Sequence, residues 1–529
     1  MHSYQAPGRS VAFAREAMCC TSHPFAARTA LEILKSGGNA VDAAVGGAVV
    51  LGLCEPMMAG LGGDVFAMVR LPDDGRVVGL NGSGRAPQGL DAAELRAEGH
   101  ATVPLESVHA ITVPGAVDAF CRLVDDYGRL ELGETLAPAI HYAEAGIPVC
   151  HRSALDWRNF GHRLWGHGRR HYLRDGELFG PGDLFASPAQ AEALRLIARD
   201  GRDAFYRGPL TDDMLATLQA AGGRHEAADF ERVAADQVTP ISVDYHGYEL
   251  LELPPNGQGA TALLILKLLD RLDARRFDPM SAERVHLQAE ATRLAYAERN
   301  RFIGDPATGE AAVAAMLSDE TADRLAATVD PKRASAPAPR PLEAMHRDTV
   351  YITVVDRDRL CVSLIYSTFW PFGSGLASEK YGISFQNRGA GFSLEAGHVN
   401  ELKGGKRPLH TLIPGFLRIG ADRIAPFGVM GGPYQAAGHA HFVSNLADYS
   451  MDLQEAIDCP RSFADPISGD LKLETGYPDA VADTLSEMGH QVVRPPVGIG
   501  GAQAISVDLR SGLLTGGSDQ RKDGVALGM

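Results

Sequence analysis

The stretch Thr349-Val350-Tyr351-Ile352-Thr353-Val354-Val355-Asp356 decides how the rest of the chain is interpreted. Its run of β-branched and aromatic residues predicts a strand. The segment just before it, Val329 to Arg347, contains four prolines together with alanines and basic residues, which predicts an exposed linker. Cleavage of the peptide bond between Asp348 and Thr349 would free the α-amino group of the threonine. That amine could then act as the base for the threonine's own hydroxyl.

On the C-terminal side of this strand the pattern continues as further strands, beginning with a hairpin partner at Leu360–Tyr366. On the N-terminal side, apolar spacing predicts helices, and Asn39 with Asp42 forms the pattern of a capping box. The predicted helices are Pro24–Lys35, a second beginning at Asn39, Leu263–Leu272, Ala282–Arg299, Asp452–Cys459 and Ala480–Met488. The other predicted strands are Val65–Leu71, Arg76–Leu80, Gly382–Gln386, Leu412–Ile419, Ile424–Met430 and Gln503–Asp508. This order favours strand layers covered by helix layers.

Composition excludes several classes of protein. The net charge of −16 opposes binding to nucleic acid or to an anionic membrane surface, because both need clustered lysine and arginine. The seven cysteines are scattered without metal-ligand spacing, which favours reduced, buried thiols. The N-terminal residues lack a basic start followed by an apolar stretch, so we expect no secretory signal and a cytoplasmic protein.

Two glycine-rich motifs are candidate binding loops. Gly60-Leu61-Gly62-Gly63-Asp64 resembles a phosphate loop, but it lacks the Lys-Ser/Thr pair and precedes a strand instead of a helix. Close backbone packing is the favoured interpretation, with Asp64 in a structural role. Met430-Gly431-Gly432-Pro433 lies between a predicted strand and a possible helix, where the N–H groups of two glycines could form an oxyanion hole. A plain tight turn is the alternative.

Three loops carry candidate binding residues for an anion. Arg85 lies at the tip of Asn81-Gly82-Ser83-Gly84-Arg85-Ala86-Pro87, as a carboxylate clamp or a solvated arginine. Arg388 lies where a polar strand end breaks into glycines, and His410 and Thr411 end a basic turn before a strand. Each loop could line an anion pocket or the protein surface. His439 and His441 do not form a metal-binding pattern, and the sequence indicates no metal and no cofactor.

Taken together, these motifs resemble the γ-glutamyltransferase family of N-terminal nucleophile hydrolases, and most closely its cytoplasmic, glutathione-hydrolase-like branch. The resemblance runs along nearly the whole chain. The segments that carry it are 34–44, 60–64, 81–87, 113–117, 372–375, 406–409, Gly431-Gly432 and the tail 517–524.

The resemblance implies an α+β fold, a four-layer α-β-β-α sandwich of two antiparallel sheets. It also implies a precursor that cuts itself between Asp348 and Thr349 into a large subunit, 1–348, with a flexible linker at about 329–347, and a small subunit, 349–529. Thr349 would be the nucleophile, and its freed amine the general base. Gly431 and Gly432 would form the oxyanion hole, and Ser367 falls where the family has a second threonine bonded to the nucleophile. A dimer of such heterodimers is possible.

The departures from the family pattern concern the substrate. Phe369 replaces an asparagine that helps hold the substrate's α-amino group, and Arg388 and Gly391 replace a glutamine and an aspartate with related roles. His410 and Thr411 replace the serine pair that holds the glutamyl α-carboxylate, and Arg85 is displaced by two places from the family's carboxylate arginine. Gaining Arg388 and losing a carboxylate should favour an acyl group that carries a carboxylate and no amine.

Four functions remain open from the sequence. The first is a self-processing threonine amidohydrolase or acyltransferase that cleaves the γ-glutamyl amide of glutathione or a related compound. The second keeps this chemistry but acts on a carboxyacyl amide, as glutaryl-cephalosporin acylases or oxamate amidohydrolase do. The third is an unprocessed binding protein without catalytic activity. Nucleotide binding through Gly60 to Asp64 is the least favoured.

Overall fold

The structure is a computed structural model that describes residues 8–308, 310–335 and 349–529. Asp348 and most of the predicted linker therefore lie outside the described residues, whereas Thr349 lies inside them. Two seven-stranded sheets, in which every pair of neighbouring strands is antiparallel, form the centre of the molecule.

Each sheet takes strands from both sides of the predicted cleavage point. The first sheet has the order Val525–Gly528, Met18–Thr21, Val350–Val355, Cys361–Ser367, Asp64–Arg70, Val77–Gly82 and Asp236–Val238. The second sheet has the order Ala12–Ala14, Leu514–Ser518, Gly501–Asp508, Arg423–Met430, Gly415–Ile419, Tyr248–Glu252 and Ile241–Tyr245.

Three apolar cores separate four layers of secondary structure. Val350, Ile352 and Val354 point from the first sheet into a core shared with helices Pro24–Lys35 and Ala40–Cys54. Side chains alternate across a strand, so Tyr351 and Val355 point the other way, into the core between the two sheets. Helices Gly259–Arg271, Ala282–Phe302 and Tyr434–Tyr449 cover the outer face of the second sheet. The four-layer α-β-β-α sandwich of two antiparallel sheets is confirmed.

Most of the predicted elements are present, with ends shifted by a few residues. The capping box is complete, because Asn39 Oδ1 accepts from the N–H of Asp42 and the N–H of Asn39 donates to Asp42 Oδ2. The strand predicted at 382–386 is wrong: Ser384 makes only an isolated bridge with Ala377, because this segment packs against the glycine turn at 60–63 instead of joining a sheet. The helices Leu453–Asp458 and Asp479–Glu487 match their predictions closely.

Smaller elements complete the chain. The remaining helices are Ala92–Ala97, Ala116–Tyr127, Leu132–Ala145, His151–Phe160, His167–Tyr172, Pro188–Asp200, Arg202–Tyr206, Pro209–Ala220, Ala227–Glu231, Glu310–Met316 and Asp319–Ala326. The remaining strands are Ile147–Pro148 with Leu184–Phe185, and Ser462–Ala464 with Leu471–Leu473 and Val492–Val493. Within the described ranges, the helices are too short or too polar to cross a bilayer.

Candidate active site

Thr349 lies immediately before strand Val350–Val355, and its side chain is fully buried. Gln435 Nε2 donates a hydrogen bond to Thr349 Oγ1 at 3.3 Å. The strand register pairs Val350 with Tyr366, so its continuation places Thr349 beside Ser367 on the neighbouring strand. Ser367 Oγ accepts from the N–H of Phe369 at 2.8 Å. The hairpin predicted from the sequence is thus what places these two residues side by side on neighbouring strands.

Gly431 and Gly432 form the turn between strand Arg423–Met430 and helix Tyr434–Tyr449, as the sequence predicted. Their φ angles are +129° and +56°, in the region that glycine adopts without a steric penalty. Gln435 is the second residue of this helix, and its backbone N–H donates to the carbonyl of Gly432 at 3.2 Å. The side chain of Gln435 therefore connects this turn to Thr349.

Asp64 organises the wall of the site, although the sequence suggested only a structural role for it. Its fully buried Oδ1 accepts from the backbone N–H of Gly84 at 2.9 Å and of Gly115 at 3.0 Å, and from Gln386 Nε2 at 2.8 Å. Its Oδ2 lies 3.1 Å from His410 Nε2. Four donors therefore surround one carboxylate, so Asp64 holds the loops that carry the candidate binding residues.

The ring of His410 is neutral and has a defined tautomer. The N–H of Leu412 donates to His410 Nδ1 at 3.2 Å, so the hydrogen of the ring is on Nε2 and points to Asp64. Burial, with the nearby Arg388 guanidinium, lowers the pKa of His410 to about 3 despite the opposing effect of Asp64. His410 therefore acts as a fixed hydrogen-bond donor to Asp64 and carries no charge near neutral pH.

Arg388 is a fully buried cation with unused hydrogen-bonding capacity. Its Nη1 donates to Thr411 Oγ1 at 2.8 Å, and its guanidinium stacks on Phe369 with 4.2 Å between the central carbon and the ring centroid. Its Nε and Nη2 are buried without a hydrogen-bond partner among the described residues. Burial lowers the pKa of Arg388 to about 9, so it remains charged at neutral pH. Two unpaired donors on a buried charge are costly unless an anion binds them.

Arg85, unlike the fully buried Arg388, has a partly exposed side chain. Its partly exposed guanidinium donates from Nη1 to the carbonyl of Gly405 at 3.1 Å and lies 3.6 Å from Asp305 and 3.9 Å from Asp236. Its backbone carbonyl accepts from Val113, close to the glycines that bind Asp64. The structure therefore brings Arg388, His410 and Thr411 together, whereas the side chain of Arg85 extends towards two carboxylates. Its role as a substrate contact stays a prediction.

A cleft of about 490 Å³ opens next to the site. It is lined by Phe369 and Thr411, which both contact Arg388, and by Pro433, which follows the turn at Gly431–Gly432. Further apolar walls come from Phe392, Leu394, Leu409 and Ile467. Arg299 lies on another wall and stacks on Tyr296 at 4.5 Å. A molecule bound at Thr349 could therefore extend into this cleft.

Sequence reasoning missed Gln258, Gln386 and Gln435. Each is a buried glutamine whose side chain contacts residues distant in the chain, and no local pattern marks Gln258 or Gln386. Gln435 had a usable signal, because it lies three residues after Gly432, in the first turn of the following helix. The replacement of the family's asparagine by Phe369 did indicate a change in the binding site, because the Phe369 ring stacks on Arg388.

One cluster in the described ranges has spacing that could suit a metal ion, formed by His286, Glu290 and His490. Its atoms form a complete hydrogen-bond chain: Arg293 Nη2 donates to His490 Nδ1 at 3.2 Å, so His490 Nε2 donates to His286 Nδ1 at 2.8 Å. His286 Nε2 then donates to the carbonyl of Asp330 at 2.8 Å. A cation here would face the guanidinium of Arg293, which binds Glu290 at 2.6 Å. The expectation of no metal stays a prediction.

Comparison with known proteins assigns the family. The family profile described as gamma-glutamyltranspeptidase matches residues 26–529. A glutathione hydrolase-like YwrD proenzyme from Bacillus subtilis and an oxamate amidohydrolase proenzyme from Klebsiella pneumoniae are each 35% identical, over 97% of this chain and 98% of theirs. The crystal structure of a cephalosporin acylase from Bacillus halodurans is 36% identical, with a TM-score of 0.91 and coverage of 100% of this chain and 99% of that one. The chain therefore belongs to the gamma-glutamyltranspeptidase family of self-processing N-terminal nucleophile amidohydrolases, and it is an enzyme.

Proposed function

We propose that this enzyme cleaves a small amide through an acyl-enzyme on Thr349, after cleavage between Asp348 and Thr349 has freed the α-amine of Thr349. The observation that carries the proposal is the position of Thr349: a buried hydroxyl at the start of a central strand, beside Ser367 and bonded to Gln435. Cleavage would divide the chain into a large subunit, 1–348, and a small subunit, 349–529.

The proposed reaction follows from these positions. The α-amine, with an ordinary pKa of about 7.7–8.0, takes the proton of Thr349 Oγ1 as the oxygen attacks the amide carbonyl. The N–H groups of Gly431 and Gly432 stabilise the developing oxyanion. The C–N bond then breaks, the protonated α-amine gives its proton to the leaving amine, and water or an acceptor amine releases the acyl group from Thr349.

Thr349→Ala and the chain termini of the mature protein test this reaction. The wild-type protein should give two chains, one of them beginning Thr-Val-Tyr by mass spectrometry. Thr349→Ala should remain one chain and show no amidase activity, because it lacks the attacking hydroxyl. An active wild-type protein without that second N-terminus, or an active Thr349→Ala variant, would contradict the proposal.

Two acyl groups suit the reaction, and both end in a carboxylate that Arg388 could bind. The first is γ-glutamyl, as in glutathione, by analogy with the Bacillus relative. The second is a carboxyacyl group without an α-amine, by analogy with the acylase and the oxamate amidohydrolase. Arg388 favours the second, because its two unpaired donors attract a carboxylate and its charge repels an ammonium group. Both oxygens of the nearby Asp64 already accept hydrogen bonds.

A pair of matched substrates separates these two candidates. The p-nitroanilides of γ-glutamate and of glutarate differ only in the α-ammonium group. We expect a higher kcat/KM for the glutaryl anilide, because the ammonium group would approach the charged Arg388 and the nearby Asp64 already accepts from four donors. A higher kcat/KM for the γ-glutamyl anilide would assign the enzyme to the γ-glutamyl class instead.

A further inference from the structure

Gln258 binds two segments of the site that lie at the open end of the hairpin Gly415–Ile419 and Arg423–Met430. It lies immediately before helix Gly259–Arg271 and is fully buried. Its Nε2 donates to the backbone carbonyl of Thr411 at 2.9 Å and to that of Gly432 at 3.1 Å. Its Oε1 accepts from Arg299 Nη1 at 2.8 Å. Since a carbonyl only accepts and a guanidinium only donates, these three partners determine the orientation of the amide.

The two carbonyls belong to different functional regions. Thr411 accepts a hydrogen bond from Arg388 through its side chain. Gly432 belongs to the turn at 431–432, whose N–H groups the proposed function assigns to the oxyanion hole. Two consecutive glycines have more conformational freedom than any other dipeptide. An oxyanion hole stabilises the transition state only if its donors are held in place before the reaction. Anchoring the carbonyl of Gly432 restricts the rotation of the turn.

We infer that Gln258 is a positioning residue for the oxyanion turn, acting from the large subunit on two segments of the small subunit. The inference rests on the proposed function, because it assumes the roles of Thr349 and Gly432 given above. Arg299, which lines the cleft, holds Gln258 in turn. Loss of the Gln258 amide should therefore weaken binding of the tetrahedral state more than binding of the ground state.

Asn256 provides a matched control two residues earlier in the same buried segment. Its Nδ2 donates to the carbonyl of Pro408 at 2.7 Å and to Ser83 Oγ at 3.0 Å, and its Oδ1 accepts from Asn81 Nδ2 at 2.9 Å. It anchors the same loop that carries Thr411, but its side-chain bonds do not reach the turn at Gly432. A general loss of packing should affect both positions, whereas control of the oxyanion turn belongs to Gln258 alone.

The test compares a tetrahedral-state analogue with a ground-state ligand in the mature enzyme. The analogue is 4-boronobutanoate or its 2-amino derivative, whichever inhibits the wild-type enzyme more strongly. Thr349 Oγ1 bonds to boron, the hydroxyl proton passes to the α-amine, and the boronate becomes a tetrahedral anion without any redox change. The ground-state ligand is glutarate or glutamate, respectively.

Gln258→Met should weaken boronate inhibition by about 10- to 100-fold and lower kcat similarly, less than the loss of a whole oxyanion donor. Inhibition by the ground-state ligand should change by less than about threefold, since Arg388 and Thr411 retain their side chains. Asn256→Leu should leave the ratio of the two inhibition constants near its wild-type value. Gln258→Glu, which retains the partner of Arg299 but turns an oxygen towards both carbonyls, should shift the ratio in the same direction as Gln258→Met.

An unchanged ratio in cleaved, active Gln258→Met or Gln258→Glu enzyme would overturn the inference and leave the proposed function intact. An equal shift of both inhibition constants would also overturn it, because it would place the effect in the acyl pocket. If neither boronate inhibits the wild-type enzyme and Thr349→Ala remains active, the proposed function fails, and the role of Gln258 fails with it.

Discussion

At the scale of single residues, charge placement distinguishes the two sides of the site. Asp64 is a buried carboxylate surrounded by four donors, so its charge is fully used within the protein. Arg388 is a buried guanidinium with one bonded and two unpaired nitrogens, so its charge is only partly used. The apolar face of Phe369 covers the guanidinium and limits its access to water. This arrangement suits the binding of an anion better than the binding of a cation.

Arg388→Met should mainly raise KM. Loss of a charged hydrogen bond costs about 1.5–3 kcal/mol, which corresponds to a decrease of about 10- to 150-fold in kcat/KM. Steady-state kinetics with the better of the two anilides measures this effect. Arg85→Met is the comparison: a substrate contact at Arg85 predicts a similar rise in KM, whereas a role limited to Asp236 and Asp305 predicts a change in thermal stability. An unchanged KM for Arg388→Met would place the carboxylate elsewhere.

At the scale of elements, close backbone contacts position the site. The turn at 60–63 leads from helix Ala40–Cys54 into strand Asp64–Arg70, so it sets the position of Asp64. A Cβ added at Gly62 would lie 2.0 Å from the backbone oxygen of Ser384, and one added at Gly63 would lie 2.5 Å from that of Ser367. These glycines are therefore needed for close packing, as the sequence analysis favoured over a phosphate loop.

Gly62→Ala should destabilise the protein by about 1–3 kcal/mol, because the methyl group meets backbone atoms that cannot rotate away. Gly133→Ala is the matched control: its nearest atom would be 3.5 Å away, and it lies within helix Leu132–Ala145. There, in the first turn of the helix, the added methyl group meets no close atom, so the free energy of unfolding should change by less than about 0.5 kcal/mol. Urea unfolding of both variants measures the difference, and equal stability would show that the turn at 60–63 can relax.

At the scale of the whole molecule, the two proposed subunits are interleaved. Val350–Val355 lies between Met18–Thr21 on one side and Cys361–Ser367 on the other. In the second sheet, Gly415–Ile419 pairs with Tyr248–Glu252. A cut before Thr349 therefore leaves both sheets hydrogen-bonded across the two chains. Separation of the subunits would require both sheets and the core between them to come apart.

Buried neutral histidines make the stability of the molecule depend on pH. Burial lowers the pKa of His490 to about 3, helped by the charge of Arg293 and by His286. The folded pKa thus lies below the unfolded value of about 6.5, so the unfolded chain binds the extra proton between these values and stability falls as the pH falls through this window. Urea midpoints at pH 7 and pH 5 should differ more for the wild type than for His490→Gln.

The difference between the two proteins is the informative quantity, because other groups also change the stability with pH, some in the opposite direction and some in the same direction. Burial raises the pKa of the Glu55 carboxyl, so the folded state takes up a proton there as the pH falls. His410 and His441 each have a pKa lowered to about 3 by burial and nearby arginines. Their contribution is common to the wild type and to His490→Gln. Equal changes in the urea midpoint for the two proteins would contradict the assignment of His490.

The sequence by itself determined the hairpin that begins at Thr349, the capped helices of the first layer and the glycine turn at 431–432. These features depend on residues close together in the chain, so strand alternation, capping and turn chemistry are enough to predict them. The same local reasoning failed at 382–386, where packing against the turn at 60–63 prevents a strand.

Only the tertiary structure decided which side chains share the site. Three pairs of contacting residues are far apart in the chain: the residue numbers differ by 346 for Asp64 and His410, by 174 for Gln258 and Gly432, and by 86 for Gln435 and Thr349. It also directed Arg85 towards Asp236 and Asp305 and left Arg388 with two unpaired donors. Such contacts depend on how the layers pack, and a local pattern carries no information about a partner that folding supplies from another layer.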